Sequence, residues 1–267
     1  MDYLNAAILA VVEGITEFLP ISSTGHMILV EDYLKLGSGD FAKDFIVIIQ
    51  FPAILSVVVY FWKELWPFGG GARTRAALTL WLKTAVAFLP AAVLGLLLND
   101  YIEAMLDSSL TVALALVVGG IVLLAIEYRG IGGRIASVHG ISFQTAFLIG
   151  CIQCLAMIPG TSRSAATIVG AMLLGASRPA AAEFSFFLAV PTMAGATALT
   201  VLKHGLRFSA QEWALIGIGS VVSFVIAYAV IAFLMNFVRR RSFAPFGWYR
   251  IALGGVVLLL FFLRCIG

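Results

Sequence analysis

Residues 13–26, EGITEFLPISSTGH, place two carboxylates, a run of hydroxyls and a histidine within a few turns of one another. Glu13 and Glu17 stand four apart, so a helix stacks them on one face with Cβ atoms about 5–6 Å apart. Like charges at that separation repel, and at membrane depth each is costly. A divalent cation, Mg²⁺ or Ca²⁺, would compensate both, since carboxylate oxygens suit a hard ion that also accepts phosphate oxygens. The competing reading is a helix lying in the membrane interface with both carboxylates solvated or protonated. Beyond Pro20, Ser22, Ser23 and Thr24 offer caps for a helix whose leading N–H groups have no intrahelical partner. His26 adds a ring that gives or takes a proton near neutral pH. Residues 159–167, PGTSRSAAT, open a second helix in the same way, with Arg163 between Ser162 and Ser164 and with Thr167 one turn on. Free N–H groups, a positive helix end and a guanidinium able to grip phosphate bidentately make an anion site. Capping accounts for each hydroxyl singly, but not for an arginine at that depth.

The elements that carry these residues are membrane helices. The 267 residues are 61% hydrophobic and 12% charged, against roughly 45–50% and about 25% in soluble domains. Uncharged apolar runs long enough to cross a ~30 Å hydrocarbon core extend over Phe45 to Trp62, Ser108 to Ile126, Phe184 to Leu202 and Trp213 to Val238. Ala76 to Leu98 is broken only by Lys83. Ile251 to Leu263 is short but flanked by Arg250 and Arg264, which are expected to snorkel to the interfaces. The N-terminal segment lacks a basic start and a small-residue cleavage site, and so reads as a retained helix rather than a signal peptide. The net charge of +3 comes largely from loops such as Arg239 to Arg241, which fits membrane anchoring and excludes nucleic-acid binding. Cys151, Cys154 and Cys265 read as small core residues with free thiols. Pro52 and Pro191 read as kinks, Gln50 as a potential donor to a ligand, Glu183 as a solvated edge carboxylate, and His139 and His204 as loop residues without a role.

Shifted by 139 residues without a gap, Pro20 falls on Pro159, Ser23 on Ser162, Phe45 on Phe184 and Pro52 on Pro191. The chain reads as one integral membrane domain, 1–267, built from an internal repeat, 1–130 and 140–267. Each half opens with two short apolar limbs broken at a polar elbow, the pattern of a re-entrant hairpin, followed by three spans. An odd number of crossings per half inverts the second half and brings both elbows near the bilayer midplane. The fold class is all-α, a polytopic helical bundle. The basic loops at 63–83, Arg129 with Arg134 and Arg239 to Arg241 fall on one side, and Asp100, Glu103 and Asp107 on the other, which puts both termini outside the cytoplasm. Lys203 and Arg207 do not follow that pattern.

Together, EGITEFLPISSTGH and PGTSRSAAT resemble the signatures of the bacterial undecaprenyl-diphosphate phosphatase family linked to bacitracin resistance, and the layout of spans is similar along the whole chain. The resemblance implies a multi-pass plasma-membrane pyrophosphatase that removes the terminal phosphate of a C55 isoprenyl diphosphate carrier for cell-wall synthesis. It also implies a divalent cation and a site opening to the outer face. Glu13 and Glu17 match the family's metal-associated pair, Ser23 and His26 the proposed catalytic hydroxyl and histidine, and Arg163 with Ser162, Ser164 and Thr167 the phosphate-binding run. Ala165 stands where many members carry glycine. Ser22 joins the phosphate-binding hydroxyls, and Glu17 and Arg163 take part in the chemistry. Either Ser23 attacks phosphorus, with His26 handling its proton, or His26 or a glutamate activates a water. The expected partners are a polyprenyl diphosphate and membrane lipid; a homodimer is allowed. A translocator of a phosphate lipid or small anion would use the same broken helices, but has no use for Ser23, His26 and a metal pair together.

Overall fold

The computed structural model describes residues 2–31, 34, 36, 39–98, 108–204 and 208–263. Asp100, Glu103, Asp107, Arg207, Arg264 and Cys265 lie outside the described residues, as does the side chain of Lys203. Six helices are long and apolar enough to cross a membrane: α3 (Gly39–Tyr60), α5 (Gly71–Leu97), α6 (Ser109–Tyr128), α9 (Arg178–His204), α10 (Ala210–Val238) and α11 (Ala244–Phe262). This is a multi-pass membrane protein. No strand forms among the described residues; the one β-type pairing is an isolated bridge between Ile135 and Ala176.

Four shorter helices carry the polar motifs: α1 (Asp2–Thr16), α2 (Ser23–Glu31), α7 (Phe143–Gln153), continued by a 3₁₀ turn at Cys154–Met157, and α8 (Arg163–Leu173). A turn of helix, α4 (Trp62–Leu65), follows α3. At 1.5 Å per residue α1 reaches only about 22 Å, short of a ~30 Å core. α1 packs on α2 and α10, and α7 packs on α8 and α5. Local signals set several ends: Ser108 caps α6, Ser142 caps α7, and Ser209 with Glu212 forms a capping box on α10. Pro52 and Pro191 sit inside α3 and α9, as Pro90 does inside α5, each removing one ladder hydrogen bond.

Phe18, Phe61, Phe186 and Phe187 pack between the α1–α2 turn, α3 and α9, with Phe18 edge-on to Phe186 at 5.5 Å and Phe61 edge-on to Phe187 at 4.9 Å. α6 packs most extensively on α11, and Gly120 makes the approach possible, because a Cβ there would stand 2.7 Å from the carbonyl oxygen of Gly247. At one end of this pair the buried carboxylate of Glu127 receives Arg178 Nε at 2.9 Å and the Phe243 N–H at 2.7 Å, tying α6, α9 and the start of α11 together.

Four expectations change. Arg250 does not snorkel: α11 begins at Ala244, upstream of the expected Ile251, which draws Arg250 into the helix, where it is fully buried. Lys83 does not interrupt α5; its Nζ donates to the His139 carbonyl at 2.9 Å, satisfying a buried amine within the helix. Cys151 is exposed and Cys154 half-buried, both free thiols, so neither is a fully buried core residue. His139 lies in a 3₁₀ turn and His204 is the last residue of α9 rather than a loop residue.

Candidate active site

The two polar motifs fold as matching elbows. α1 closes with Thr16 Oγ1 donating to Val12 O at 2.7 Å, the chain turns through residues 17–21, and Ser22 holds φ at 72° before α2 begins. In the second motif Gly160, with φ 89°, leads to Ser162 at φ 70°, and α8 begins. Ser22 and Ser162 are the two non-glycine residues with positive φ among the described residues. Such conformers are costly and cluster at functional sites. In this pose each serine hydroxyl accepts from the helix it precedes, Ser22 from the Gly25 N–H at 3.4 Å and Ser162 from the Ala165 N–H at 3.2 Å. By conformation Ser22 therefore corresponds to Ser162 and Ser23 to Arg163, one residue away from the 139-residue offset. The second elbow carries an extra residue between its proline and its capping serine.

The elbows bond to each other. Ser164 Oγ donates to Leu19 O at 2.8 Å. Glu17 is the shared acceptor: Ser23 Oγ donates to its Oε2 at 2.9 Å, while Arg163 Nε and Nη2 each approach its Oε1 at 3.4 Å. Arg163 Nη1 donates to Ser185 O at 3.0 Å. Charged N–H···O contacts usually close to about 2.7–2.9 Å, so the long approach leaves this guanidinium poorly satisfied and able to take a better anion. Thr167, fully buried, bonds to Arg163 O at 2.8 Å and to Ser185 Oγ at 2.7 Å, joining α8 to α9 instead of facing open space.

Glu13 is fully buried, and neither carboxylate oxygen has a hydrogen-bond partner among the described residues. Glu17 and the Gln50 amide are its polar neighbours. A carboxylate with two orphaned oxygens, beside a second carboxylate, fits a hard cation by its donor set. His26 stands apart from Ser23: its Nδ1 is 2.7 Å from Ser22 O and its Nε2 2.8 Å from Tyr249 Oη, with the two rings nearly parallel at 8°.

Two participants were missed in the sequence. Arg250 has no carboxylate partner among the described residues. Its Nη2 donates to Gly160 O at 3.0 Å and Ala115 O at 3.1 Å, and its Nη1 reaches Pro20 O at 3.5 Å, so one guanidinium holds a carbonyl from each elbow. Its neighbour Tyr249 orients His26. The available signal was an arginine with no acidic residue nearby in the apolar run after Pro245, and it was read as a flank.

A crevice of about 550 Å³ opens beside Glu17 and Arg163. Gln50, Gln153 and Thr192 complete its polar wall, and the rest is apolar surface of α5, α9 and the 3₁₀ turn at Cys154–Met157. Charge sits at one end and a greasy slot at the other, the shape of a site for an amphiphile with an anionic head.

The model of the bacitracin resistance protein BacA family matches residues 6–256. The chain belongs to the BacA family. Among its relatives, the undecaprenyl-diphosphatase of Fusobacterium nucleatum is 53% identical over 266 residues, covering 96% of this chain and 99% of the relative. Undecaprenyl-diphosphatase 1 of Clostridioides difficile is 48% identical, covering 98% and 97%. The undecaprenyl-diphosphatase of Enterococcus faecalis is 45% identical, covering 97% of each. The BacA match spans both elbows, the crevice and the Tyr249–Arg250 pair.

Proposed function

We propose that this chain is an undecaprenyl-diphosphatase, cleaving undecaprenyl diphosphate to undecaprenyl phosphate and inorganic phosphate in the bacterial plasma membrane. The observation that carries the reading is Glu17, held between the Ser23 hydroxyl and the Arg163 guanidinium at the mouth of a crevice with an apolar slot. Near-full-length identity of 45–53% to undecaprenyl-diphosphatases supports it.

The diphosphate displaces Glu17 from Arg163, which then binds phosphate oxygens, while the free N–H groups opening α2 and α8 add donors. Ser23 Oγ attacks the terminal phosphorus as its proton passes to Glu17, the carboxylate already accepting it at 2.9 Å. The bond from that phosphorus to the bridging oxygen breaks, and undecaprenyl phosphate leaves with the electron pair. Water then cleaves the phosphoserine, releasing inorganic phosphate and returning the proton to Ser23. His26 is engaged with Tyr249 and the Ser22 carbonyl, so it steadies the start of α2 and polarises the elbow. A divalent cation held by Glu13 and Glu17 would supply neutralisation of charge on the phosphates. Ser162, Ser164, Thr167 and Ser22 set the elbows in place, and the prenyl chain runs out along α5 and α9.

In the same reading α1–α2 and α7–α8 are re-entrant hairpins, the halves are inverted repeats, and the site opens to the outer face. The paired positive-φ serines support the repeat. Cysteines placed at 37, 140 and 204 test it: 37 and 204 label from one side and 140 from the other, and labelling of all three from one side defeats the inverted arrangement.

The activity is tested with detergent-purified protein and farnesyl diphosphate, with Mg²⁺ or Ca²⁺, with chelator, and with Arg163→Ala. Phosphate release that needs the metal and Arg163 supports the reading. Binding without release under any divalent metal leaves a translocator of a phosphate lipid in its place.

A further inference from the structure

Gln153 ends α7 on the wall of the crevice that holds Glu17 and Arg163. It is 3% exposed, and its Nε2 has no hydrogen-bond partner among the described residues. Its Oε1 faces Thr192 Oγ1 at 3.4 Å, and that hydroxyl is itself fixed by Leu188 O at 2.8 Å. The amide is thus oriented with its acceptor on the protein and its two N–H donors unspent. Buried amide hydrogens without acceptors are rare, because each forfeits the water it gave up. A structural glutamine here would have both ends satisfied.

The place of the amide gives it meaning. Its nitrogen can only donate, and it lines the same crevice as Arg163, so it suits an anion.

We infer that Gln153 is a ligand of the diphosphate headgroup, its Nε2 donating to a non-bridging phosphate oxygen next to Arg163, with Thr192 positioning it. The inference rests on the diphosphatase reading. Full-length protein in detergent with fixed Mg²⁺ is assayed for phosphate release from farnesyl diphosphate, and separately for binding of farnesyl methylenediphosphonate, which cannot be hydrolysed, by its shift of the thermal midpoint. Gln153→Met keeps the length of the side chain and removes the donors; KM and the analogue Kd rise about tenfold with kcat nearly unchanged, the ratio carried by one hydrogen bond. Gln153→Glu, of the same shape, raises both further because it faces phosphate with a negative charge. Folded Gln153→Met with KM and Kd equal to those of the parent overturns the assignment, as does a Gln153→Glu variant that binds as well as the parent. If the Gln153 variants do not fold, Thr192→Val decides: KM rises about threefold as the amide loses its orientation, and no change overturns the inference. A parent protein that neither releases phosphate nor responds to the analogue removes the diphosphatase reading itself, an outcome distinct from the failure of Gln153 alone.

Discussion

Replacing Arg250 by methionine separates what holds the two elbows together from what performs the chemistry. The guanidinium makes two well-formed bonds, to Gly160 O at 3.0 Å and Ala115 O at 3.1 Å, and a long one to Pro20 O at 3.5 Å. Hydrogen bonds from a charged donor contribute about 1.5–3 kcal/mol each, so the two good ones amount to roughly 3–6 kcal/mol. Against that stands the cost of burying a guanidinium without a counter-ion, several kcal/mol, which methionine abolishes. The terms nearly cancel, and Arg250→Met is expected to lower stability by no more than about 2 kcal/mol, a few degrees in thermal midpoint for a chain of this size. The elbows, however, lose the side chain that holds a carbonyl from each of them, and a 1 Å displacement of reacting groups costs about 10²-fold in rate. Phosphate release from farnesyl diphosphate should therefore fall about 10²-fold in kcat/KM while the melting curve in detergent barely moves. Arg250→Lys keeps the charge but not the fork, and should recover only part of the rate. Arg250→Met with kcat/KM within about threefold of the parent refutes the clamp.

Glu13→Gln leaves the fold's volume unchanged and removes one carboxylate; the Mg²⁺ concentration for half-maximal activity should rise at least about tenfold, and an unchanged titration curve removes Glu13 from the cation site. Tyr249→Phe deletes only the hydroxyl on His26 Nε2 and should lower kcat about three- to tenfold, the value of one hydrogen bond, without changing KM; a changed KM with constant kcat contradicts a role in orienting His26. Glu127→Ala strands the Phe243 N–H and the Arg178 guanidinium, which is 39% exposed and regains water. The loss is then about 2 kcal/mol rather than the roughly 3–5 of a sealed pair, and it reads as a thermal midpoint lower by about 5 °C with unaltered KM in the folded fraction.

The spans were legible because they rest on composition, which a window of sequence measures directly. All six appear, and the displaced boundaries share a cause. Ala244 to Arg250 belongs to α11 because Arg250 finds carbonyls from other helices, and Lys83 stays inside α5 because His139 O lies within reach. A charge counts as a helix boundary only when it must reach water, and no local pattern reveals a carbonyl waiting in the interior.

The site divides along the same line. Glu17, Ser23 and Arg163 were legible from residue type and spacing, since carboxylate pairs, capping hydroxyls and a lone membrane arginine each violate the cost of burying polarity. Their mutual bonding offsets part of that cost. What spacing could not supply was the register between the elbows. A gapless shift paired Ser23 with Ser162, whereas the backbone pairs Ser22 with Ser162, because the second turn needs Gly160 and Thr161 where the first has only Ile21. That single residue decides which side chains are counterparts. It sets Ser23 of the first elbow against Arg163 of the second. The two elbows therefore differ where they meet, with the Glu17 carboxylate of the first facing the Arg163 guanidinium of the second. A phosphate bound between them would meet a cation from one side and N–H groups from the other, an arrangement that two identical halves could not make.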